Sequence, residues 1–448
     1  MIKVITYGSY DMLHYGHIRL LKRAKALGDY LIVGVTSDDY DKARGKINIQ
    51  QSLIQRIEAI RETGLADQII IEEYEGQKID DIHRYGIDIF AIGSDWTGCF
   101  DYLNEYCKVV YLDRTVGISS SKIRAKERML RIGLIGNEEE NILGKYFDEF
   151  ETVNGTIISG VCTSNKKIRD TLKVRTSFFT DNFDKLLDRS DAIYMISHPG
   201  LHYTQIKKAI LAGKHVLVES PLTLSFTQSE ELFMLAKERK VVLMEAIKTA
   251  YATAYNRLLL LVKSGRIGKV VSVDATCTSI RNINNLTNEY KNIWNSICAW
   301  GPTAMLPVFQ ILGTQYDEVK LASIYLSKEF QFDIFTKIDF TFKNAVASIK
   351  VGRGVKSEGE LVISGTKGYI YVPAPWWKMD YFEIRYENIE NNKRYFYQLE
   401  GEGIRYELVA FVKAIVKGSK TDYLTEEISI AISKIIQDFY EGRVTEII

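Results

Sequence analysis

Short apolar runs separated by helical periods recur through the first 127 residues, and the same alternation starts afresh at residue 131. The first series is Lys3-Val4-Ile5-Thr6-Tyr7, Leu31 to Val35, Ile69 to Ile71, Ile87 to Ile92 and Val109 to Leu112, with helical periods at Ile18 to Leu27 and Leu53 to Thr63. Strands that are apolar throughout belong in a parallel sheet covered on both faces, and parallel strands need helical crossovers. The second series is Arg131 to Gly136, Ile157 to Cys162, Ala192 to Ser197 and His215 to Glu219. From about Lys269 the pattern becomes alternating, as in Val270 to Thr276 and Phe340 to Val351, with Gly368 to Val372 reading as an edge of the same sheet. Tyr406 to Val416 and Glu426 to Glu441 read as closing helices. A chain of 448 residues exceeds one ordinary core. The expected fold class is α/β: a Rossmann-like domain at 1–127, a second Rossmann-type domain at 128–247, and an α+β domain with a large, mostly antiparallel sheet at 248–448.

Charge narrows the partners. A formal net charge of +1 argues against a general nucleic-acid or membrane-surface role. The five cysteines (Cys99, Cys107, Cys162, Cys277 and Cys298) form no C-x-x-C pair, so neither a disulfide framework nor a zinc site is expected. The apolar run near Leu258 to Val262 is far too short to span a bilayer, and the chain enters a strand at once, so no leader is expected. A cytoplasmic enzyme is the natural class.

Two segments carry chemistry. Tyr10-Asp11-Met12-Leu13-His14-Tyr15-Gly16-His17 follows the first strand, where an open parallel sheet has its site. Gly16 removes a side chain where a triphosphate must come close, and His14 and His17 share a face of a starting helix. Two imidazoles there can donate to phosphate oxygens as charge builds in the transition state. The second segment is Arg114-Thr115-Val116-Gly117-Ile118-Ser119-Ser120-Ser121-Lys122-Ile123-Arg124. Ser119, Ser120 and Ser121 sit at an expected helix start, an anion site, and Lys122 and Arg124 add positive charge. Plainer readings exist: a metal on the histidine pair, for which no cysteine or carboxylate partner is evident nearby, and an ordinary N-cap for the serines. The two segments together favour phosphate, and no protein-bound metal is expected.

These residues, with Gly28-Asp29-Tyr30-Leu31, Gly93-Ser94-Asp95-Trp96 and Val110-Tyr111-Leu112, make residues 1 to about 124 resemble the glycerol-3-phosphate cytidylyltransferase family. The resemblance implies CTP with Mg²⁺ as donor and a small polyol phosphate as acceptor, glycerol 3-phosphate by default. It places Ser9, Tyr10, Gly16, His14 and His17 at the triphosphate and Lys46 on a segment covering the phosphates. It places Arg114, Thr115, Ser119 and Ser120 around the nucleotide, with Asp95 and Trp96 also nucleotide-binding. Tyr74 falls near the acceptor pocket; Asp11 and Asp38 are assigned to the acceptor side as well, as ligands or site supports, with a solvated surface role as the alternative. Ser94 stands where the family commonly has a carboxylate. Glu62-Thr63-Gly64 lacks an arginine the family uses, for which Arg61 could substitute. The product implied is a CDP-polyol for a surface glycopolymer such as teichoic acid or capsule, made by a homodimer.

Residues 131 to about 440 resemble the glucose–fructose oxidoreductase and inositol dehydrogenase family, through Arg131 to Gly136, Ser197 to Tyr203, Ala212 to Leu222 and Gly265 to Val270. The chemical positions depart from it. After Gly136 the later glycine positions hold Glu138 and Asn141, and carboxylates there would repel a pyrophosphate by on the order of several kcal/mol. Ser220 replaces the lysine of a Glu-Lys-Pro step, Trp300 to Pro307 lacks the acid and histidine or tyrosine pair, and Lys248 is either a structural lysine or a relocated acid–base group. Three accounts of this half follow: an inactive structural or oligomerising domain, an NAD(P)-dependent reductase that makes the polyol phosphate, or a ligand-sensing module.

Overall fold

The computed structural model describes all residues except 44–48, 50, 75, 114–128, 137–139, 154, 281–293, 328, 330, 398, 400, 418–422 and 447–448. It divides into two compact units, 1–129 and 130–448, residues 153–155 aside. Among the described residues no helix is long and apolar enough to cross a membrane.

The first unit runs β1 (Lys3–Gly8), α1 (Tyr15–Lys25), β2 (Tyr30–Thr36), α2 (Asp38–Ala43), α3 (Leu53–Glu62), β3 (Gln68–Glu72), α4 (Gln77–Tyr85), β4 (Ile89–Gly93) and β5 (Lys108–Leu112). Its five strands are parallel, in the order β3-β2-β1-β4-β5. The order reverses between β1 and β4, which opens a crevice beyond their carboxyl ends. Val4, Leu31 and Val33 face one apolar layer with Leu21 and Ala24 of α1; Ile5, Ile32 and Phe90 face the other with Ile82 of α4. α1 begins three residues earlier than its apolar periodicity predicts, because His14 caps it. α3 begins at a capping box, in which the Ser52 hydroxyl accepts from Gln55 N and the Gln55 side chain accepts from Ser52 N.

The second unit opens with β6 (Leu130–Ile135), α5 (Glu140–Thr152), β7 (Thr156–Cys162), α6 (Lys166–Leu172), β8 (Phe179–Thr180), α7 (Phe183–Leu187), β9 (Ala192–Met195), α8 (Pro199–Leu211), β10 (His215–Glu219), α9 (Phe226–Arg239) and β11 (Leu243–Ala246). These strands form a six-stranded parallel sheet, β11-β10-β9-β6-β7-β8. Two helices, α10 (Lys248–Tyr251) and α11 (Thr253–Lys263), lead to β12 (Val270–Ile280) and α12 (Ser296–Leu312). Then come β13 (Glu318–Ser327), β14 (Phe332–Phe342), β15 (Ala345–Gly352), β16 (Gly354–Val355), β17 (Leu361–Gly365), β18 (Tyr369–Val372), β19 (Tyr381–Arg385) and β20 (Lys393–Phe396). Helices α13 (Ile404–Lys417) and α14 (Glu426–Tyr440) and strand β21 (Thr445–Glu446) close the unit. The ten-stranded sheet runs β20-β19-β18-β17-β12-β15-β14-β13-β21, with β16 on β12. It is antiparallel except for β12–β15 and β13–β21.

Two strand expectations are corrected. The alternation from Phe340 to Val351 is not one strand: Phe342 pairs with Ala345 across a two-residue turn, so it spans the end of β14 and the start of β15. The Gly368 to Val372 segment is not an edge, because β18 pairs with β17 on one side and β19 on the other.

Candidate active site

The chain leaves β1 through a loop in which Tyr10 (φ 52°) and Met12 (φ 50°) adopt the left-handed conformation that such residues rarely take. That geometry turns the Tyr10 ring inward, where it is only 2% exposed and packs in the core beside Gly8, whose Cβ would lie 3.0 Å from the ring. Burial pushes its phenol well above the usual range. The ring packs edge-on to His17, with centroids 5.5 Å apart, so the side chain props the histidine from the core side while the Tyr10 backbone stays in the loop after β1.

His14 caps α1. Its Nδ1 accepts from Gly16 N at 3.1 Å, which leaves the neutral ring's proton on Nε2. The rings of His14 and His17 stack with centroids 3.8 Å apart and planes 16° apart. A Cβ on Gly16 would come within 2.9 Å of His14 Cε1, so this glycine makes room for the imidazole itself. The pair thus presents two parallel imidazoles at a helix N-terminus, at the crevice edge of the sheet, a setting that favours an anion.

Behind this loop lies a residue the sequence reading missed. Arg56 of α3 is fully buried. It donates to the Ser9 carbonyl at 2.7 Å, to Asp41 Oδ2 at 3.1 Å and to Asp38 Oδ1 at 2.5 Å. Asp41 also accepts from Thr36 at the end of β2. One guanidinium therefore ties the loop after β1 to α2. The signal was available: Leu53, Arg56, Ile57 and Ile60 share the apolar face of α3 at helical spacing, and a cation in such a stripe needs a reason. Asp11 is 1% exposed and accepts from Gln51 N at 3.0 Å, while Gln51 Oε1 accepts from Met12 N at 2.8 Å. Asp11 and Asp38 are thus both hydrogen-bonded to neighbouring elements, Asp11 buried and Asp38 with its side chain 41% exposed.

Across the order reversal, Asp95 and Trp96 lie in a single 3-10 turn, Ser94–Trp96, directly after β4, with the Trp96 ring tilted against Phe100 at 5.8 Å. Tyr74 follows β3, is 41% exposed and donates to Asp80 at 2.7 Å. Below the crevice, Lys78 pairs with Glu72 in the interior, and Tyr7 donates to Asp81 at 2.9 Å. Lys46, Arg114, Thr115, Ser119, Ser120, Ser121 and Arg124 lie outside the described residues.

In the second unit Gly136 ends β6 where a Cβ would sit 2.9 Å from the Ile196 carbonyl, a close approach that suffices to require glycine. Glu138 lies outside the described residues. Ser220 follows β10, and next to it Glu219 accepts from Tyr146 and, at 3.0 Å, from Tyr194, whose hydroxyl also shares a hydrogen bond with the buried Glu407. Lys248 Nζ lies 3.8 Å from Glu219 Oε1 and over the Tyr146 ring at 5.4 Å. Burial pulls the Lys248 pKa down, but Glu219, Glu407, Glu402 and Glu149 outweigh it and the net shift is upward. Burial, joined by Glu219, drives Glu407 well above the usual carboxylate range. Lys248 is therefore a locked cation in a carboxylate cluster. His198 caps α8 by accepting from Gly200 N at 3.2 Å, and His202 is buried between the Pro221 and Ser197 carbonyls.

Comparison with known proteins divides the chain at the same place. Residues 5–126 match the Cytidylyltransferase-like family model and residues 130–247 match the model of the Oxidoreductase family, NAD-binding Rossmann fold. Over 124 residues the chain is 48% identical to glycerol-3-phosphate cytidylyltransferase of Bacillus spizizenii, covering 28% of this chain and 95% of that protein. The Staphylococcus aureus protein of the same name is 45% identical over 126 residues, 28% of this chain and 93% of that one. Among solved structures, a 3-ketoreductase from Actinomadura kijaniata in complex with NADP and TDP-benzene superposes with a TM-score of 0.63 at 18% identity, covering 71% of this chain and 99% of that one. A UDP-N-acetylglucosamine 3-dehydrogenase from Acidithiobacillus ferrooxidans gives 0.56 at 16%, covering 70% and 97%. At these identities the likeness of the second unit is one of fold.

Proposed function

Because the chain belongs, through its first 126 residues, to the glycerol-3-phosphate cytidylyltransferase family, we propose that it transfers CMP from CTP to glycerol 3-phosphate, giving CDP-glycerol and pyrophosphate. The observation that carries this reading is the stacked His14–His17 pair at the N-terminus of α1, beside the order reversal of a parallel sheet. A phosphate oxygen of the acceptor attacks the α-phosphorus of CTP, the bond to the bridging oxygen breaks, and the pair of electrons leaves with pyrophosphate. No side chain is acylated or phosphorylated, so the protein's work is positioning and charge stabilisation. His14, through Nε2–H, and His17 donate to the phosphate oxygens as that charge grows. Tyr10 and Gly16 fix the imidazoles, and Arg56, Asp11 and Asp38 hold the loop. Asp95 and Trp96 contact the nucleotide, Lys46, Arg114, Thr115, Ser119, Ser120, Ser121 and Arg124 surround its phosphates, and Tyr74 lines the acceptor side.

Mg²⁺ neutralises the triphosphate in reactions of this type. Among the described residues no group of three or more His, Cys, Asp or Glu side chains could hold a metal. The described donors thus build no cage for the ion, and no step is assigned to it. The reaction needs CTP and so belongs in the cytoplasm; its product suits a surface glycopolymer, and a homodimer is the proposed assembly.

The second unit, on this reading, is not a dehydrogenase. NAD(P) fits poorly to its described residues: Ser220 supplies no cation, and Lys248, 3.8 Å from the adjoining Glu219, is engaged by that carboxylate. Pyrophosphate release with glycerol 3-phosphate and each of the four nucleoside triphosphates tests the first unit. Calorimetric titration of the full chain with NADH and NADPH tests the second.

A further inference from the structure

Along the free edge of the six-stranded sheet, β11 lines a cavity of about 710 Å³ whose other walls are α9, the end of α13 and the first turn of α14. That volume is in the range of small-molecule sites, roughly 300–1,000 Å³. The walls are mainly apolar, including Phe233, Val241, Leu243, Met244, Ile415 and Leu424. Glu245, from β11, lines the same cavity and is 2% exposed. Its Oε1 accepts from Leu222 N at 2.9 Å, while Oε2 has no hydrogen-bond partner among the described residues. A carboxyl buried with one oxygen unanswered is costly and calls for a partner.

The neighbouring charges leave that role open. Lys237 on α9 is held by Glu426 of α14 at 2.6 Å. His215 of β10 accepts from Val242 N at 2.9 Å, and burial lowers its pKa. Beside the Glu245 carboxyl, Ser429 of α14 favours its ionised form and Glu219 of β10 opposes it. Lys240 and Glu427 are exposed on the rim.

We propose that this cavity binds a small organic amine, its apolar body against the hydrophobic walls and its ammonium against Glu245. The ion pair would answer the orphaned oxygen. Burial supports the choice by holding the Glu245 carboxyl up to about 7, so that a cation can draw it into the ionised form near neutrality.

The test uses the full chain and two probes of matched body, 2-phenylethylamine and 2-phenylethanol, followed by ligand-observed NMR and calorimetry. The amine should bind at least about tenfold more tightly than the alcohol at pH 8, and its affinity should fall about tenfold by pH 6 as Glu245 takes up a proton. Glu245→Gln should erase both the preference and the pH dependence, and Ala236→Trp, which fills the cavity from α9, should remove binding. Equal affinity for the two probes, a flat pH profile of the amine in the native chain, or no millimolar binding of either would each overturn the proposal. The probe comparison and the pH profile need no variant, so a failure of Glu245→Gln to fold does not blunt them.

Discussion

At the residue scale the site turns on aromatic rings packed against one another. His14 takes its tautomer from Gly16 N–H, and His17 takes its place between His14 and Tyr10. Replacing either histidine by alanine should lower CDP-glycerol formation ~100- to 1,000-fold, the usual loss for one preorganised donor to developing charge, while the circular dichroism spectrum stays native. Near-native turnover in both variants would remove the pair from the mechanism. Arg56 makes a different prediction. Arg56→Met would leave Asp41, itself fully buried, without its cation. Breaking a buried pair from one side costs roughly 3–5 kcal/mol, so this variant should lose stability in urea as well as activity. A change below about 1 kcal/mol, as for a surface pair, would show that the guanidinium holds nothing. Arg56 also marks what the sequence left unread. A loop after a strand announces its histidines, because their spacing is local. The partner that holds the loop comes from 47 positions away, and only its misfit with an apolar stripe betrays it.

At the scale of elements, the parallel strands were legible because each is a short, uniformly apolar run, as in β2 and β9. The β14–β15 hairpin was not, because in-and-out alternation continues through Phe342 and Ala345 with only Lys343 and Asn344 between them. The start of α1 was missed for a related reason: a histidine cap carries no apolar signal. The α8–β10 junction carries a pH prediction. His202 is completely buried, and burial holds its imidazole down to about 4 despite the two carbonyls facing it. The unfolded chain, with a histidine pKa near 6.5, therefore binds more protons than the native one between these values. The stability contribution is full above about pH 6.5 and is lost as pH falls towards 4, on the order of 3 kcal/mol in all. Four of the five tryptophans lie beyond residue 290, so urea melts followed by tryptophan fluorescence report mainly the second unit. Its midpoint should drop between pH 7.5 and 5 by more in the native protein than in His202→Gln. An equal drop in both would assign the acid sensitivity elsewhere.

At the scale of the whole molecule, two parallel α/β sheets share one chain, and among the described residues the first carries a stacked histidine pair at its carboxyl edge. In the second, the corresponding edge holds Glu219, Glu407, Tyr146 and Tyr194 in a closed hydrogen-bonded cluster capped by Lys248. Calorimetry of the full chain should accordingly find NADH and NADPH binding weaker than micromolar, and oxidation of NADPH by a keto-sugar phosphate should not occur. Micromolar binding would restore the reductase account, with Lys248 the first residue to replace. The account as a whole rests on CTP as the donor. Its most direct test is the rate of pyrophosphate release by the full chain with glycerol 3-phosphate and CTP, ATP, GTP or UTP in turn. CTP is predicted to be preferred, with CDP-glycerol formed in equal amount to pyrophosphate; equal or faster release with ATP would contradict it.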